Sequence, residues 1–171
     1  KTARSEAFKT PEGRQIAYQN LIDGGIDALV VIGGDGTFTG ANFFAQEHDF
    51  PVIGLPGTID NDLAGTDFTI GYDSAINTVV DAVDKIRDTA ESHDRLFIVE
   101  VMGRDSGLIA LRSGIGVGAE AILIPADNMS VQNIIHNLEH SRTDKSSNII
   151  IVAEEDEAGG AFKVAEIFHQ N

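Results

Sequence analysis

Short apolar runs alternate with amphipathic segments along the whole sequence, and this alternation most strongly limits the fold. The apolar runs predict buried strands at residues 26–32, 50–55, 95–102, 121–125 and 148–153. Apolar residues at helical spacing predict helices at residues 14–24, 38–46, 73–89, 108–114, 131–140 and 160–170. Because strands that alternate with helices form parallel sheets, we predict an α/β, Rossmann-like fold of parallel sheets sandwiched by helices.

The composition narrows the class of protein. The chain has 171 residues, enough for one domain or for parts of two, and its net charge of -15 argues against a nucleic-acid partner. It has no cysteine, so a disulfide framework or a cysteine zinc site is excluded. No apolar stretch is long enough to span a bilayer and no signal peptide is evident, so we expect no membrane partner. The basic start without methionine is typical of a cut in a longer chain.

The first predicted strand is continuously apolar, as expected of a strand buried on both faces, and it ends in a glycine-rich turn. Residues 33–37 read GGDGT, and a helix is expected from residue 38. Three glycines allow a close approach of backbone to ligand, and the helix N-terminus favours an anion. Asp35 fits beside phosphate if a magnesium ion bridges the two. A plain glycine-rich turn with a helix cap is the alternative.

The second predicted strand ends in an acidic turn. Residues 56–62 read PGTIDND, with Thr58, Asp60 and Asn61 offering oxygens beyond the strand end. Ligands of open parallel sheets bind at the carboxyl ends of strands. One of the two carboxylates, Asp60 or Asp62, is therefore a candidate to take a proton, while the other holds a metal or fixes the geometry. An Asx-rich turn that caps its own backbone is the alternative.

The strand at 95–102 ends in glycine and charge, with Arg104 directly after Gly103. A surface ion pair is the usual role of such an arginine. Beside two acidic strand ends, however, Arg104 is a candidate clamp for a phosphoryl group. A metal-holding carboxylate, a base and a cation together indicate phosphoryl transfer to a hydroxyl.

These motifs closely resemble those of the bacterial 6-phosphofructokinases. GGDGT at 33–37, GLPGTIDND at 54–62 and MGR at 102–104 occur in the order and near the spacing of that family. The resemblance covers essentially the whole chain, although family members are much longer at both ends. It implies an ATP-binding lobe at residues 1–70 and a sugar-phosphate-binding lobe at residues 71–171.

The resemblance implies phosphoryl transfer from ATP to the 1-hydroxyl of fructose 6-phosphate. Asp60 would be the general base, with Thr58 beside it on the substrate, Asp62 supporting it and Arg104 meeting the moving phosphoryl. Asp35 would hold Mg²⁺. The ATP site would include Arg4, Ser5, Gly34, Asp35, Gly36 and Thr37.

The sugar phosphate would be bound by Thr58, Asp60, Arg95, Met102, Gly103, Arg104 and Glu154. Arg95 matches an arginine that reaches a neighbouring subunit, which implies a homo-oligomer, tetrameric in the full-length bacterial family. Arg87, Glu120 and Lys145 match an effector site for ADP or phosphoenolpyruvate. This chain has Thr143 at a position of the effector site where the family often has a basic residue. It has Glu155 where many relatives have glycine.

Two glycines favour ATP as the donor. In the pyrophosphate-dependent branch of the family, the two motifs read like GGDD and PKTIDND. This chain has Gly36 in place of the second aspartate of GGDD and Gly57 in place of the lysine of PKTIDND. A cytoplasmic, ATP-dependent enzyme of glycolysis is thus expected. A pyrophosphate-dependent enzyme is one alternative. A catalytically inactive binding fragment is another, because the family's first phosphate loop and its late His/Arg segment have no counterpart here.

Overall fold

The computed structural model describes residues 5–93, 95–125, 131–140, 148–154 and 160–170. The predicted alternation of strands and helices is confirmed within these ranges. The helices are α1 (Pro11–Asp23), α2 (Asp35–His48), α3 (Tyr72–His93), α4 (Leu108–Val117), α5 (Val131–His140) and α6 (Gly160–Gln170). The strands are β1 (Leu29–Gly33), β2 (Val52–Pro56), β3 (Leu96–Val101), β4 (Ala121–Leu123) and β5 (Asn148–Ala153). Short 3-10 turns cover Ala7–Lys9 and Arg104–Ser106.

The chain forms two compact units. Unit 1 comprises Lys1–Thr58 and Leu63–Thr66, and unit 2 comprises Ile59–Asp62 and Asp67–Asn171. The acidic turn is therefore divided, because Thr58 belongs to unit 1 and Asp60 to unit 2. The assignment of residues 1–70 to an ATP lobe and 71–171 to a sugar-phosphate lobe remains a prediction.

Unit 1 is built on a two-stranded parallel sheet in which β1 pairs with β2. Helix α2 packs on this sheet, with the ring of Phe38 lying where a side chain at Gly54 would stand. The expectation that β1 is buried on both faces is wrong: Val30 and Ile32 are 61% and 67% exposed. In the paired register these residues share a face with Ile53, which is 64% exposed, so the helix covers only the opposite face.

Unit 2 is a three-stranded parallel sheet in the order β3-β5-β4. Strand β5 is central, and its residues from Ile149 to Ala153 are fully buried. Ile149 and Ile151 face a core shared with α3 and α4, whereas Ile150 and Val152 face a core shared with α5 and α6. Successive residues of a strand point to opposite faces, so this alternation requires helices on both sides of the sheet. The predicted helix-covered parallel sheet is confirmed here.

Candidate active site

The turn between β1 and α2 carries the first group of predicted site residues. Strand β1 ends at Gly33, and α2 begins at Asp35 with Gly34 as its N-cap. The carbonyl of Gly34 accepts the backbone N–H groups of Thr37 at 3.0 Å and Phe38 at 3.1 Å. The predicted helix start at residue 38 is therefore wrong by three residues. Glycines were interpreted as loop, but they let the chain enter a helical turn directly from the strand.

Two of the three glycines of this turn, Gly33 and Gly34, leave little room for a side chain because the chain packs closely on itself. A side chain at Gly33 would bring its Cβ atom to 2.3 Å from Oγ1 of Thr37. At Gly34 the Cβ atom would lie 3.2 Å from Cβ of Thr58. Thr58 consequently lies beside the GGDGT turn within unit 1, as required if both contact one ligand.

Asp35, Gly36 and Thr37 are exposed in the first turn of α2. Backbone N–H groups and the helix dipole favour an anion at such a terminus. Over the described ranges, no group of three or more His, Cys, Asp or Glu side chains is arranged to hold a metal ion. A single exposed carboxylate still fits Mg²⁺, which is commonly held by one or two carboxylates, substrate phosphates and water.

Unit 2 brings Asp60 and Arg104 together. The Asp60 side chain is 15% exposed, and its Oδ2 atom lies 3.9 Å from Nε of Arg104. Ile59 anchors the acidic turn by packing against the core that α3 and α4 share with the sheet. A largely buried carboxylate beside a cation at the carboxyl end of β3 is thus positioned for proton or phosphoryl transfer.

The turn after β3 is held in an uncommon backbone conformation. Gly103 has φ +132° and Arg104 has φ +46°, a value that side-chain-bearing residues rarely adopt. Oε1 of Glu154 accepts the backbone N–H of Arg104 at 3.3 Å. The N–H of Glu154 in turn donates to the carbonyl of Val101 at 2.8 Å. Glu154 and Arg104 are therefore neighbours at the carboxyl ends of β5 and β3.

Two residues of this site have a structural role that the sequence did not predict: Asn61 was expected only to offer an oxygen, and Ser106 was assigned no role. Asn61 has φ +54°, and its side-chain amide bonds to the backbone of Asp67 and Thr69. The hydroxyl of Ser106 lies 2.9 Å from the carbonyl oxygen of Asp60 and 2.7 Å from that of Gly103, and these two acceptors share its one proton. For Asn61 the signal was available, since asparagine is enriched where φ is positive. Nothing local signals the contact of Ser106 with Asp60, because these two residues lie 46 residues apart.

The remaining predicted residues lie in several places. Met102 is 58% exposed and Asp62 is exposed, both next to the Asp60 and Arg104 turns. Arg95 precedes β3 and is exposed at the opposite end of that strand, so it does not join Asp60 within unit 2. Ser5 accepts the backbone N–H of Phe8 at 3.4 Å. Outside the described residues lie Arg4, Lys145, Thr143 and Glu155.

Two predicted effector residues have partners within unit 2. The guanidinium of Arg87 donates to the carbonyl of Val117 at the end of α4. Oε2 of Glu120 accepts the N–H of Ile149 at 2.6 Å. Both residues thus lie near the amino ends of β4 and β5, away from Arg104.

Comparison with known proteins gives one consistent result. A family model described as phosphofructokinase matches residues 1–171. ATP-dependent 6-phosphofructokinase 2 of Bacteroides thetaiotaomicron is 60% identical over 97% of this chain, which covers 51% of that relative. The chain spans about half the length of the curated relatives it matches.

Solved structures show the same fold. The structure of phosphofructokinase from Saccharomyces cerevisiae matches with a TM-score of 0.85 and 39% identity, over 99% of this chain and 27% of that one. A pyrophosphate-dependent phosphofructokinase from Nitrosospira multiformis matches with a TM-score of 0.81 and 21% identity, over 95% of this chain and 46% of that one. At that identity the second match shows the fold alone. In the described residues, no helix is long and apolar enough to cross a membrane.

Proposed function

The chain belongs to the phosphofructokinase family, and we propose that it carries the catalytic centre of an ATP-dependent 6-phosphofructokinase. The reaction transfers the γ-phosphoryl group of ATP to the 1-hydroxyl of fructose 6-phosphate, giving fructose 1,6-bisphosphate in glycolysis. The observation that carries the proposal is the approach of Arg104 to Asp60, at 3.9 Å, with Glu154 at the end of β5 hydrogen-bonded to the backbone of Arg104.

Asp60 acts as the general base. Its carboxylate takes the proton of the attacking 1-hydroxyl, so that the oxygen can attack the phosphorus without carrying a positive charge. Arg104 meets the negative charge that spreads over the phosphoryl oxygens during transfer. Thr58 hydrogen-bonds the substrate, and Asp62 helps to keep the turn oriented. Little covalent chemistry is required of the protein, so position and charge supply most of the rate.

The GGDGT turn binds the nucleotide. Gly34, Gly36 and Thr37 offer a close backbone surface and a helix N-terminus to the ATP phosphates, with Arg4 and Ser5 near them. Asp35 would hold Mg²⁺, which supplies charge neutralisation to the phosphates when it is bound. The exposed first turn of α2 supports this assignment.

The sugar phosphate is bound by unit 2 and by a neighbouring subunit. Glu154 accepts hydrogen bonds from sugar hydroxyls, while Met102, Gly103 and Arg104 line the reacting end. Arg95 extends to the sugar phosphate of a second subunit, in a homotetramer of the full-length enzyme. Its exposure at the far end of β3 supports a role outside its own site.

Effector control by ADP or phosphoenolpyruvate is part of the proposal. Arg87, Glu120 and Lys145 would form the effector site. Because Arg87 and Glu120 already bond to backbone groups near the start of β4, an effector has to exchange those bonds for its own. The effector would therefore act on the contact of α3 with the end of α4 and on the contact of the segment before β4 with β5. The enzyme is proposed to act in the cytoplasm.

Pyrophosphate is the alternative donor, and Gly57 argues against it. A side chain at Gly57 would bring its Cβ atom to 2.6 Å from Cγ2 of Ile32, so a lysine does not fit without movement. At Gly36, in contrast, no atom of the described residues outside its own stretch of α2 lies within 4 Å of the position of a Cβ atom. The space at Gly36 is open for a nucleotide, which favours ATP.

The test is phosphoryl transfer to fructose 6-phosphate by the full-length parent enzyme, with ATP and pyrophosphate compared at one Mg²⁺ concentration. We expect turnover with ATP and none with pyrophosphate. The Asp60→Asn variant of the full-length enzyme is the inactive control. Turnover with pyrophosphate would contradict the donor assignment. Turnover with neither donor would favour the second candidate, a binding fragment, which the chain's half-length coverage of its relatives supports. For the 171-residue chain by itself we expect little or no turnover.

A further inference from the structure

Between the two carboxylates of the acidic turn, the backbone of Asn61 is in the left-handed conformation. Asn61 has φ +54°, a left-handed conformation that costs an ordinary L-residue free energy and that asparagine tolerates better than most. A residue with negative φ here would send the chain along a different path after Asp60. The direction in which the Asp60 carboxylate leaves the turn thus depends on the conformation of its neighbour.

The side chain of Asn61 bonds through both ends of its amide. Its Oδ1 atom accepts the backbone N–H of Thr69 at 2.7 Å, and its Nδ2 atom donates to the carbonyl of Asp67 at 3.2 Å. Thr69 is only 4% exposed, so an unpaired N–H there would be left without water. Aspartate could accept from Thr69 but not donate to Asp67, and glutamine is one methylene longer. Asparagine alone combines this reach, both functions and the backbone conformation.

These bonds connect the acidic turn to the start of α3. The carbonyl of Thr69 accepts the N–H of Tyr72 at 3.3 Å, and Tyr72 is buried in the core beside α4. On the other side of Asn61, Ile59 packs on the same core and the Ser106 hydroxyl holds the carbonyl of Asp60. Asp60 therefore lies in a short segment that is fixed on both sides.

We propose that Asn61 is the positioning residue of Asp60: its left-handed backbone and its two amide hydrogen bonds set the carboxylate in reach of the substrate hydroxyl and of Arg104. The inference rests on the proposed function, because Asn61 is proposed to position Asp60, the general base of that reaction. Asn61 itself does not touch the reacting atoms. A displacement of about 1 Å in such a group is enough to lower turnover about 100-fold.

Two substitutions of Asn61 in the full-length parent separate the effect of its backbone conformation from the effect of its side-chain hydrogen bonds. Asn61→Gly keeps access to positive φ and removes both amide bonds, whereas Asn61→Ala removes the bonds and disfavours the conformation. Asp49 supplies the matched control, since it has φ +49° at the exposed end of α2 and has no role in the proposed site. Asp49→Gly and Asp49→Ala therefore report the effect of the backbone change alone.

For Asn61→Gly we expect kcat to fall about 10-fold or more while KM for fructose 6-phosphate changes by less than about 3-fold, and Asn61→Ala should be worse. Both Asp49 variants should keep the parent kcat. Hydrogen exchange in the peptide that contains Thr69 should accelerate about 10-fold in both Asn61 variants and in neither Asp49 variant. A crystal structure of the Asn61→Gly parent should show Asp60 displaced from Arg104.

The outcomes distinguish this inference from the proposed function. A parent that does not transfer phosphoryl groups contradicts the proposed function, whereas the structure and exchange of Asn61→Gly still report whether Asn61 places Asp60. If Asp60 is undisplaced in that variant, or if kcat is unchanged while Thr69 exchanges faster, Asn61 is only structural and the inference is wrong.

Discussion

The Nε atom of Arg104 lies 3.9 Å from the Oδ2 atom of Asp60, beyond hydrogen-bonding distance and within reach of a weak ion pair. The two side chains differ in environment, because Asp60 is 15% exposed and Arg104 is 57% exposed. An exposed guanidinium that is not locked onto the carboxylate can turn towards an incoming phosphoryl group. The pair therefore combines a largely buried carboxylate with a more exposed cation, which is consistent with the proposed phosphoryl transfer to a hydroxyl.

Removing the carboxylate of Asp60 should abolish most of the turnover. We expect Asp60→Ala in the full-length parent to lower kcat by about 10² to 10⁴-fold, the usual contribution of a general base. Binding of fructose 6-phosphate should change much less, which steady-state kinetics and equilibrium binding together would measure. Asp81→Ala on the exposed face of α3 is the control. A variant that binds the sugar phosphate poorly but turns over normally contradicts the role of Asp60 as base.

Two substitutions of Arg104 test whether its positive charge or the planar geometry of its guanidinium supports turnover. Both Arg104→Lys and Arg104→Gln keep a long unbranched side chain at φ +46°, so the backbone cost is the same in the two variants. We expect Arg104→Gln to lower kcat by about 100-fold or more, since one charge at the phosphoryl group is lost. Arg104→Lys should recover part of that loss, because lysine is a point charge without the planar fork. Equal activities of the two variants would show that the charge of Arg104 does not act in the reaction.

Substitution of Gly36 and of Gly57, the two glycines that favour ATP as the phosphoryl donor, should affect stability differently. Gly36→Asp should leave the melting temperature unchanged or raise it, because the position is open and an acidic residue suits the first turn of α2. It should nevertheless weaken the use of ATP. Gly57→Lys should lower stability by about 1 to 3 kcal/mol through its clash with Ile32.

Pairing Gly57→Lys with Ile32→Ala should restore part of that stability, because the atom 2.6 Å from the new Cβ atom is then absent. Thermal melting of the single and double variants measures the effect. Ile53→Ala on the same exposed face of the sheet is the control, since Ile53 does not contact Gly57 in this way. If the Ile32 and Gly57 substitutions have additive effects, the steric explanation fails.

The ion pair of Arg14 with Glu47 should make the stability of the chain depend on pH. Arg14 donates from Nε and a terminal nitrogen to the two oxygens of Glu47, at 2.6 and 2.5 Å. The hydrogen bond from Arg14 holds the pKa of Glu47 below its usual range, and Glu47 raises the pKa of Arg14. Because the folded pKa of Glu47 is depressed, its contribution is present above the ordinary glutamate pKa, about 4.3, and is lost as pH falls through the folded value.

Urea denaturation of the parent and of Glu47→Gln measures this contribution. At pH 7 the urea concentration at the midpoint of unfolding should be lower for Glu47→Gln than for the parent. This difference between the two midpoints should shrink as the pH falls below about 4.3. Glu6→Gln is the control, because Glu6 pairs with Lys9 on an exposed surface where both side chains are well solvated. A difference that stays constant down to low pH would contradict the linkage to Glu47.

Local periodicity was enough to predict the order of the α-helices and strands in the described residues, although not the start of α2 or the two 3-10 turns. The run of Ile and Val before Glu154 predicted a strand, and β5 is that strand, with Ile149 to Ala153 fully buried. The motifs at the strand ends likewise placed Asp35, Asp60 and Arg104 where β1, β2 and β3 end. The same reasoning was wrong for β1, whose apolar run of Val30 and Ile32 is not covered on both faces. Hydrophobicity predicts that a strand can be buried, but only the neighbouring elements decide whether it is.

The sequence by itself therefore determined the fold class, the family and the residue types at each strand end, because these depend on local chemistry and spacing. Only the tertiary structure decided which of these residues meet. Arg104 and Glu154 are 50 residues apart and become neighbours because β3 pairs directly with β5. The bonds of Asn61 likewise depend on where the start of α3 lies. Such contacts come from the packing of whole elements, and no short stretch of sequence contains that information.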